Sequence, residues 1–573
     1  MHGQAGNLKA ESTMLSSYPF IEIYLTLGIA FFLLGYGILA FPRRKYRGLR
    51  PLPAPPRNII GGHEKALISP CRFMVFDKWA REYGSIFQVR VGPQTIICVN
   101  DPRIAKELFE KRGAKYSSRS SPYVAYELLS QKRRIVLTPN GPMHTAFRRQ
   151  LHAILSISKT KQNLKTQELE SRQLLLEFIK FSEGLGQPEN PPDYGEPQSI
   201  IRRYTLSVMM TLSFGHRIKS LDDPIVRTVF DIMDDIAIAS QPGQYLVDMF
   251  PILKRLPYFF KTWEHKSERK VEWQWAFLND LLMRTEKQMN AGTPNIGLIR
   301  ALIEQRQGMS EAEKDQKFLD EKSIAYQAET LMEAGSDTTA ITAMNFLLAM
   351  VLHPDIMRKG QESVDAVVPT SRLPEFEDLE SMPYINQIVK EVMRWRPVLP
   401  LGVPHLNTTD DDYDGYHIPA NSMIVGNMWS MQHDSAHYTN PSEFSPERFE
   451  ESKGKSAFES SIEADAMGRD HYVFGWGRRI CPGMHLAEAS MLLLVSRILW
   501  GFHLSTAKDK DGRDIKVTAD PEKAYTHSAF ANPKAFPMSF SLRCKERGEV
   551  IRKSHQDALK TWSEMKLDLF RET

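Results

Sequence analysis

The chain has 573 residues, 42% apolar and 25% charged, ordinary proportions for a globular protein with a sizeable core. Its formal net charge of +4 is too small at this length to indicate a nucleic-acid partner. The four cysteines, Cys71, Cys98, Cys481 and Cys544, are far apart and form no CxxC pair, so neither a zinc site nor a disulfide framework is indicated. So few cysteines suit a reducing compartment.

In chain order, residues 1–22 precede an uncharged run, 23–41 (IYLTLGIAFFLLGYGILAF). About 20 apolar residues span a bilayer as a helix, and Tyr24 and Tyr36 suit the interfaces. Arg43, Arg44, Lys45, Arg47 and Arg50 follow with no acid among them, which predicts a cytosolic body behind the anchor. A cleaved signal peptide has a shorter apolar core with positive charge in front of it; here the charge lies behind. Pro51-Leu52-Pro53-Ala54-Pro55-Pro56 is stiff and extended. Residues 42–56 therefore read as a basic, proline-rich hinge between a transmembrane anchor (23–41, with 1–22 luminal) and a body over 57–545.

Within the body, Ile86 to Val91 and Thr95 to Val99 flank Gly92-Pro93 and predict a hairpin. From about 140 to 400 the pattern is mostly helical, interrupted by a Pro/Gly-rich surface loop over 184–199. A long helix is predicted over 323–352, stopped by His353-Pro354, and another over 384–395 before Pro397. Strand-like pieces recur at 417–418 and 422–425, and a last long helix begins after Gly483. The fold class is mainly α, as a single large helical domain of α+β type with a minor β region. The tail 546–573 is polar, with only an imperfect apolar stripe: Val550, Ile551, Ala558, Leu559, Trp562, Met565 and Leu569.

The chemistry is carried by Phe474-Gly475-Trp476-Gly477-Arg478-Arg479-Ile480-Cys481-Pro482-Gly483. A lone cysteine in a glycine-rich loop before a helix suits a thiolate, stabilised by backbone N–H groups and the helix amino-terminus. Gly477 and Gly483 would let backbone pass close to a flat ligand. Arg479 could neutralise a carboxylate on it. A lone cysteine is ordinarily just a small buried hydrophobe; here the complete FxxGxRxCxG pattern argues otherwise.

On this pattern the sequence resembles the cytochrome P450 family, over roughly residues 51–545. The resemblance implies haem b, with Cys481 as axial thiolate and Phe474 and Gly477 in the cofactor loop. Thiolate ligation favours O–O cleavage. Glu391-Val392-Met393-Arg394 matches the family's ExxR, with both charges on one helical face, and Pro446-Glu447-Arg448-Phe449 matches its PERF segment. Glu391, Arg394 and Arg448 are then implied to form a buried structural network under the haem loop. Ala334-Gly335-Ser336-Asp337-Thr338-Thr339 resembles the oxygen-binding segment. Small residues there would let the helix approach the iron's distal face, and Asp337 and Thr338 would form an acid–alcohol relay for protons.

Haem propionates need cationic partners. The family's WxxxR aligns with His144-Thr145-Ala146-Phe147-Arg148: the arginine is kept, and His144 replaces the tryptophan. His405 and Arg479 complete the implied set. Asp337 with Thr338 favours a monooxygenase, which takes O2 and a hydrophobic small molecule. Relatives that rearrange substrates without O2, and haem carriers or sensors, are the alternatives. No GxGxxG occurs, so electrons are expected from NADPH through a separate flavoprotein reductase docking near Cys481, with the body on the cytosolic face of the endoplasmic reticulum membrane. A hydrolase is disfavoured, since no GxSxG elbow occurs. Segments 203–208 and 243–248 resemble fungal members of secondary metabolism, pointing to a polyketide, terpenoid or alkaloid. Segments 120–126 and 398–403 and the segment before Ala334 are candidate pocket walls. Asn407-Thr408-Thr409 is a formal glycosylation sequon, expected to stay unmodified.

Overall fold

The helical patterning becomes a stack of long helices around one that is buried along most of its length. The computed structural model describes residues 48–57, 62–63, 69, 71–184, 196–241, 243–292, 296–526, 528–565, 567 and 569. The expected span 23–41 and basic residues 43–47 lie outside the described residues.

The longer helices are α1 (Arg72–Tyr83), α2 (Pro142–Leu155), α3 (Ile157–Ser182), α4 (Glu196–Phe214), α5 (Pro224–Ala239), α6 (Thr262–Asn290), α7 (Glu321–Leu352), α8 (Pro354–Asp365), α9 (Pro383–Trp395), α10 (Met484–Gly501) and α11 (Lys545–Met565). Their starts follow local chemistry. Asp320 caps α7 by accepting from the Ser323 N–H, and Asp223 caps α5 with Pro224 in its first turn. Helix α7 ends at His353, where Pro354 cannot continue it. Residues 311–352 are long and apolar enough to cross a membrane, but 78% of the apolar window is buried. It is a core helix.

The minor β part has three sheets. β1 (Ile86–Val91), β2 (Gln94–Val99), β3 (His405–Leu406) and β6 (Met423–Gly426) form one, in the order β1-β2-β6-β3. β1 and β2 are the expected hairpin, with Val91 opposite Gln94, and β2 runs parallel to β6. β4 (Asp411–Tyr413) pairs with β5 (Tyr416–Ile418), and β7 (Phe502–Thr506) with β8 (Met538–Leu542). The proline-rich segment is tied to the body: Pro53 O accepts from the Gln88 N–H at 2.8 Å, Leu52 is buried, and the Arg50 N–H donates to Gly415 O.

The main core joins α3, α4, α7, α9 and α10. Helix α4 lies against α7 so closely that a Cβ built at Gly335 would stand 2.5 Å from Met209 Sδ. The carboxy-terminal segment packs on the body as α11. Ile551, Ala558 and Trp562 are buried, Trp562 clusters with Leu169 and Leu567, and the Arg217 guanidinium stacks 3.4 Å over its ring.

Candidate haem site

Cys481 lies between a tight turn at Gly477–Arg479 and the start of α10. Its N–H donates to Phe474 O at 2.8 Å, closing the loop. Phe474 packs its ring on the main core. Gly477 has φ +54°, and a Cβ there would meet Phe109 O at 2.3 Å. The close approach this glycine permits is therefore to the neighbouring backbone, where the sequence pointed to a flat ligand. Burial raises the Cys481 thiol, against the Gly483 N–H and the Arg148 guanidinium, which favour the thiolate. A metal ion at the sulfur would add a far larger opposing charge.

Around the loop stand the expected cations and one that the sequence did not suggest. Arg479 donates from Nε to Ser117 O (2.7 Å) and from Nη2 to Thr138 O (2.7 Å). Arg148 donates to Ile480 O at 2.8 Å. Arg119, the addition, is fully buried among its neighbours and donates to Val403 O and Pro404 O, both at 2.7 Å. Among the described residues none of these three guanidiniums meets a carboxylate. Burial, with Arg148 nearby, holds Arg479 down to about 10, and burial with Arg479 pushes Arg119 well below its usual range. Burial, helped by Arg479, Arg148 and Arg119, lowers His144 to about 3. His405 is likewise held neutral by burial and Arg119, bonds Tyr116 O through Nδ1 at 2.7 Å, and lies 4.4 Å from the Phe109 ring. Three cations, Arg119 buried and Arg148 and Arg479 half-buried, without a counter-anion among the described residues and beside a cysteine at a helix start, fit a dianionic metal macrocycle. Haem, with one iron and two propionates, has that chemistry.

Glu391, Arg394 and Arg448 come together as the sequence anticipated. Arg394 binds Glu391 through two contacts, 2.7 and 2.8 Å, and Arg448 Nε reaches Glu391 Oε1 at 3.0 Å. Arg394 also donates to Gln432 O and Pro441 O. Gln432 Oε1 accepts from the Tyr472 N–H, and Tyr472 O accepts from the Gly475 N–H. The network thus reaches the cysteine loop through three hydrogen bonds.

Past its first turn α7 is buried except around Glu333–Thr339, where Ala334 is exposed. Thr338 Oγ1 donates back to Ala334 O at 2.7 Å, and Thr342 Oγ1 to Thr338 O at 2.9 Å, a pattern that bends helices. The segment after Arg134 joins this helix to the cations: Arg134 ion-pairs with α7, while Ile135 O and Thr138 O accept from Arg479. Two particulars differ from the sequence reading. Asp337 Oδ1 is held by Arg202 of α4 at 2.8 Å. Gly335 faces Met209, so only Ala334 keeps the opening small. Asn407 of the sequon is buried and bonds Thr409 O, Pro419 O and the Ser422 N–H, which closes it to glycosylation.

The family model for cytochrome P450 matches residues 52–527. Cytochrome P450 monooxygenase 231 of Postia placenta is 36% identical over 556 residues, covering 94% of this chain and 97% of the relative. Cytochrome P450 monooxygenase yanC of Aspergillus niger is 31% identical, covering 87% and 90%. A zebrafish cytochrome P450 solved with progesterone has the same fold, with a TM-score of 0.64 at 22% identity over 82% of this chain. The motif, the cation pocket and these matches agree: the chain belongs to the cytochrome P450 family and is a P450 oxidoreductase.

Proposed function

We propose that the chain is a haem-thiolate monooxygenase that places one oxygen atom from O2 into a hydrophobic small molecule, as a step in fungal secondary metabolism. The observation that carries this is Cys481 beside a partly buried, carboxylate-free cation cluster. The fungal relatives named monooxygenases support the reaction class.

Bound haem would supply O2 activation. Cys481 Sγ would hold the iron. Arg119, Arg148 and Arg479 would neutralise the propionates, and neutral His144 would donate a hydrogen bond without adding charge; neutral His405 gives its Nδ1–H to Tyr116 O, so its Nε2 is left as an acceptor and its part is to fix the Tyr116 backbone beside the pocket. Glu391, Arg394 and Arg448 hold the loop in register; they do no chemistry. Asp337 gives Oδ1 to Arg202, so Oδ2 is the atom that takes up and releases a proton. Thr338 O–H, now turned to Ala334 O, rotates to pass it on. Electrons come from NADPH through a separate flavoprotein reductase. Segment 23–41 anchors the chain in the endoplasmic reticulum membrane with the body in the cytosol.

The test is a reduced, carbon-monoxide difference spectrum of the purified protein. A strongly red-shifted Soret band is expected, and Cys481→Ala should abolish it. A histidine-type haem spectrum in the wild type would overturn the proposal.

A further inference from the structure

The opening on α7 has a polar wall that the proposed function does not use. Arg134 is fully buried and ion-pairs with Glu329 at 2.7 Å and Glu333 at 3.1 Å. Glu329 Oε1 also accepts from Gln274 of α6 at 2.6 Å. Nε and Nη1 of Arg134 and Oε2 of Glu329 are buried without a hydrogen-bond partner. Two carboxyl groups thus share one guanidinium inside the protein, and burying two anions on one cation is costly. The stable arrangement keeps one proton on the pair.

The surroundings say which carboxyl keeps it. Glu329 takes both Arg134 and Gln274 on Oε1, two contacts that oppose the rise burial imposes on it, so it is the better-held anion of the two. Glu333 has Arg134 alone, with Glu329 and Asp337 adding negative charge one turn to either side; 14% of its side chain is exposed, next to Ala334 at the opening. Tyr326 joins the cluster from one turn further back, its phenol raised by burial and by Glu329. Arg202 faces Asp337 from α4. Burial raises Glu333 to about 8, despite Arg134.

We propose that Glu333, kept as a neutral carboxylic acid by the Arg134–Glu329 pair, is a specificity-determining residue that donates its O–H to a carbonyl oxygen on an otherwise apolar substrate. This rests on the monooxygenase reading and narrows its substrate class. A site whose buried donor needs an acceptor rejects an analogue that lacks one.

The test uses full-length, haem-loaded protein and a matched pair of probes, cyclododecanone and cyclododecane. The ketone-to-hydrocarbon affinity ratio is expected to fall about fivefold to tenfold from wild type to Glu333→Leu, the loss of one hydrogen bond. Glu333→Gln keeps an N–H donor and should keep most of the preference. In the wild type the ratio should fall as pH rises through about 8; in Glu333→Gln it should stay flat. An infrared difference spectrum, wild type minus Glu333→Gln at pH 7, should show a protonated-carboxyl C=O band. No such band, no ketone binding, or a ratio unchanged in Glu333→Leu overturns the assignment. The carbon-monoxide spectrum separates the two claims. If its red-shifted band is present while the ketone ratio is flat, only the role of Glu333 fails; if the wild type lacks it, the haem-thiolate reading fails.

Discussion

Gly335 gives a test of what a family motif is for. A Cβ at this position would lie 2.5 Å from Met209 Sδ and 2.6 Å from its Cε, whereas non-bonded heavy atoms settle near 3.5–4.0 Å. Gly335→Val adds three carbons, so the Met209 side chain must move by more than 1 Å or α4 must shift. Overpacking of this kind costs about 1–3 kcal/mol. Helix propensity returns about 0.4 kcal/mol, because glycine is the poorer helix former. The net expectation is about 1–3 kcal/mol of destabilisation. Met209 is 4% exposed, so Met209→Ala alone should cost about 2–5 kcal/mol as a cavity. Combined, the two changes compensate, because the valine occupies space that the methionine leaves. The double variant should then be at least about 1 kcal/mol more stable than the sum of the single effects. Urea unfolding of the haem-loaded protein, followed by far-ultraviolet circular dichroism, measures all three. Additivity within about 0.5 kcal/mol would refute the packing argument. So would a Gly335→Val protein of wild-type stability that has lost its carbon-monoxide band, since that glycine would be facing the haem.

Glu391→Gln leaves Arg394 buried with half its partner, and is expected to cost about 3–5 kcal/mol and to lower haem content, read from the carbon-monoxide band per mole of protein. Thr338→Ala should bind haem normally but consume NADPH with poor product yield; intact coupling would remove Thr338 from the proton route. Arg202→Leu removes the ion pair that holds Asp337 Oδ1, so product yield per NADPH should fall while the carbon-monoxide band stays; unchanged coupling would make Arg202 a packing residue. Trp562→Ala removes a ring that covers Leu169 and Arg217, and should cost about 3–5 kcal/mol, seen as a lower urea midpoint.

What was legible in the sequence is what lies close together in the chain. The cysteine loop spans ten residues and ExxR four, so spacing alone displays them. The hairpin at Gly92-Pro93 and the stop at His353-Pro354 are just as local. What was hidden is pairing over distance. Arg119 meets Val403 O across 284 positions, and Arg202 meets Asp337 across 135; neither arginine sits in a pattern. The tail shows the same division. Its stripe contains Ile551, Ala558 and Trp562, which are buried, and Leu559, which is 49% exposed. Polar partners complete the contact: Arg547 with Asp365, Arg552 with Glu183, Arg217 over the Trp562 ring. Apolar periodicity alone could not reveal them.

Buried arginine is the signal that separates the two halves of this site. A guanidinium rarely gives up its charge, so one taken out of water needs an anion or a fan of carbonyls. Arg394 and Arg203 find carboxylates on the chain itself, at Glu391 and Glu170; those pairs are complete, and their role is to hold helices. Among the described residues Arg119, Arg148 and Arg479 find only carbonyls, so their charge is unmatched, and on the proposed reading that excess is what propionates would neutralise. Arg134 is the reverse case, one cation between two carboxyls, and its excess is a proton. The first imbalance calls for an anionic cofactor. The second, on the proposal made above, leaves an acid O–H beside the opening on α7, where a substrate carbonyl oxygen would accept a hydrogen bond from it.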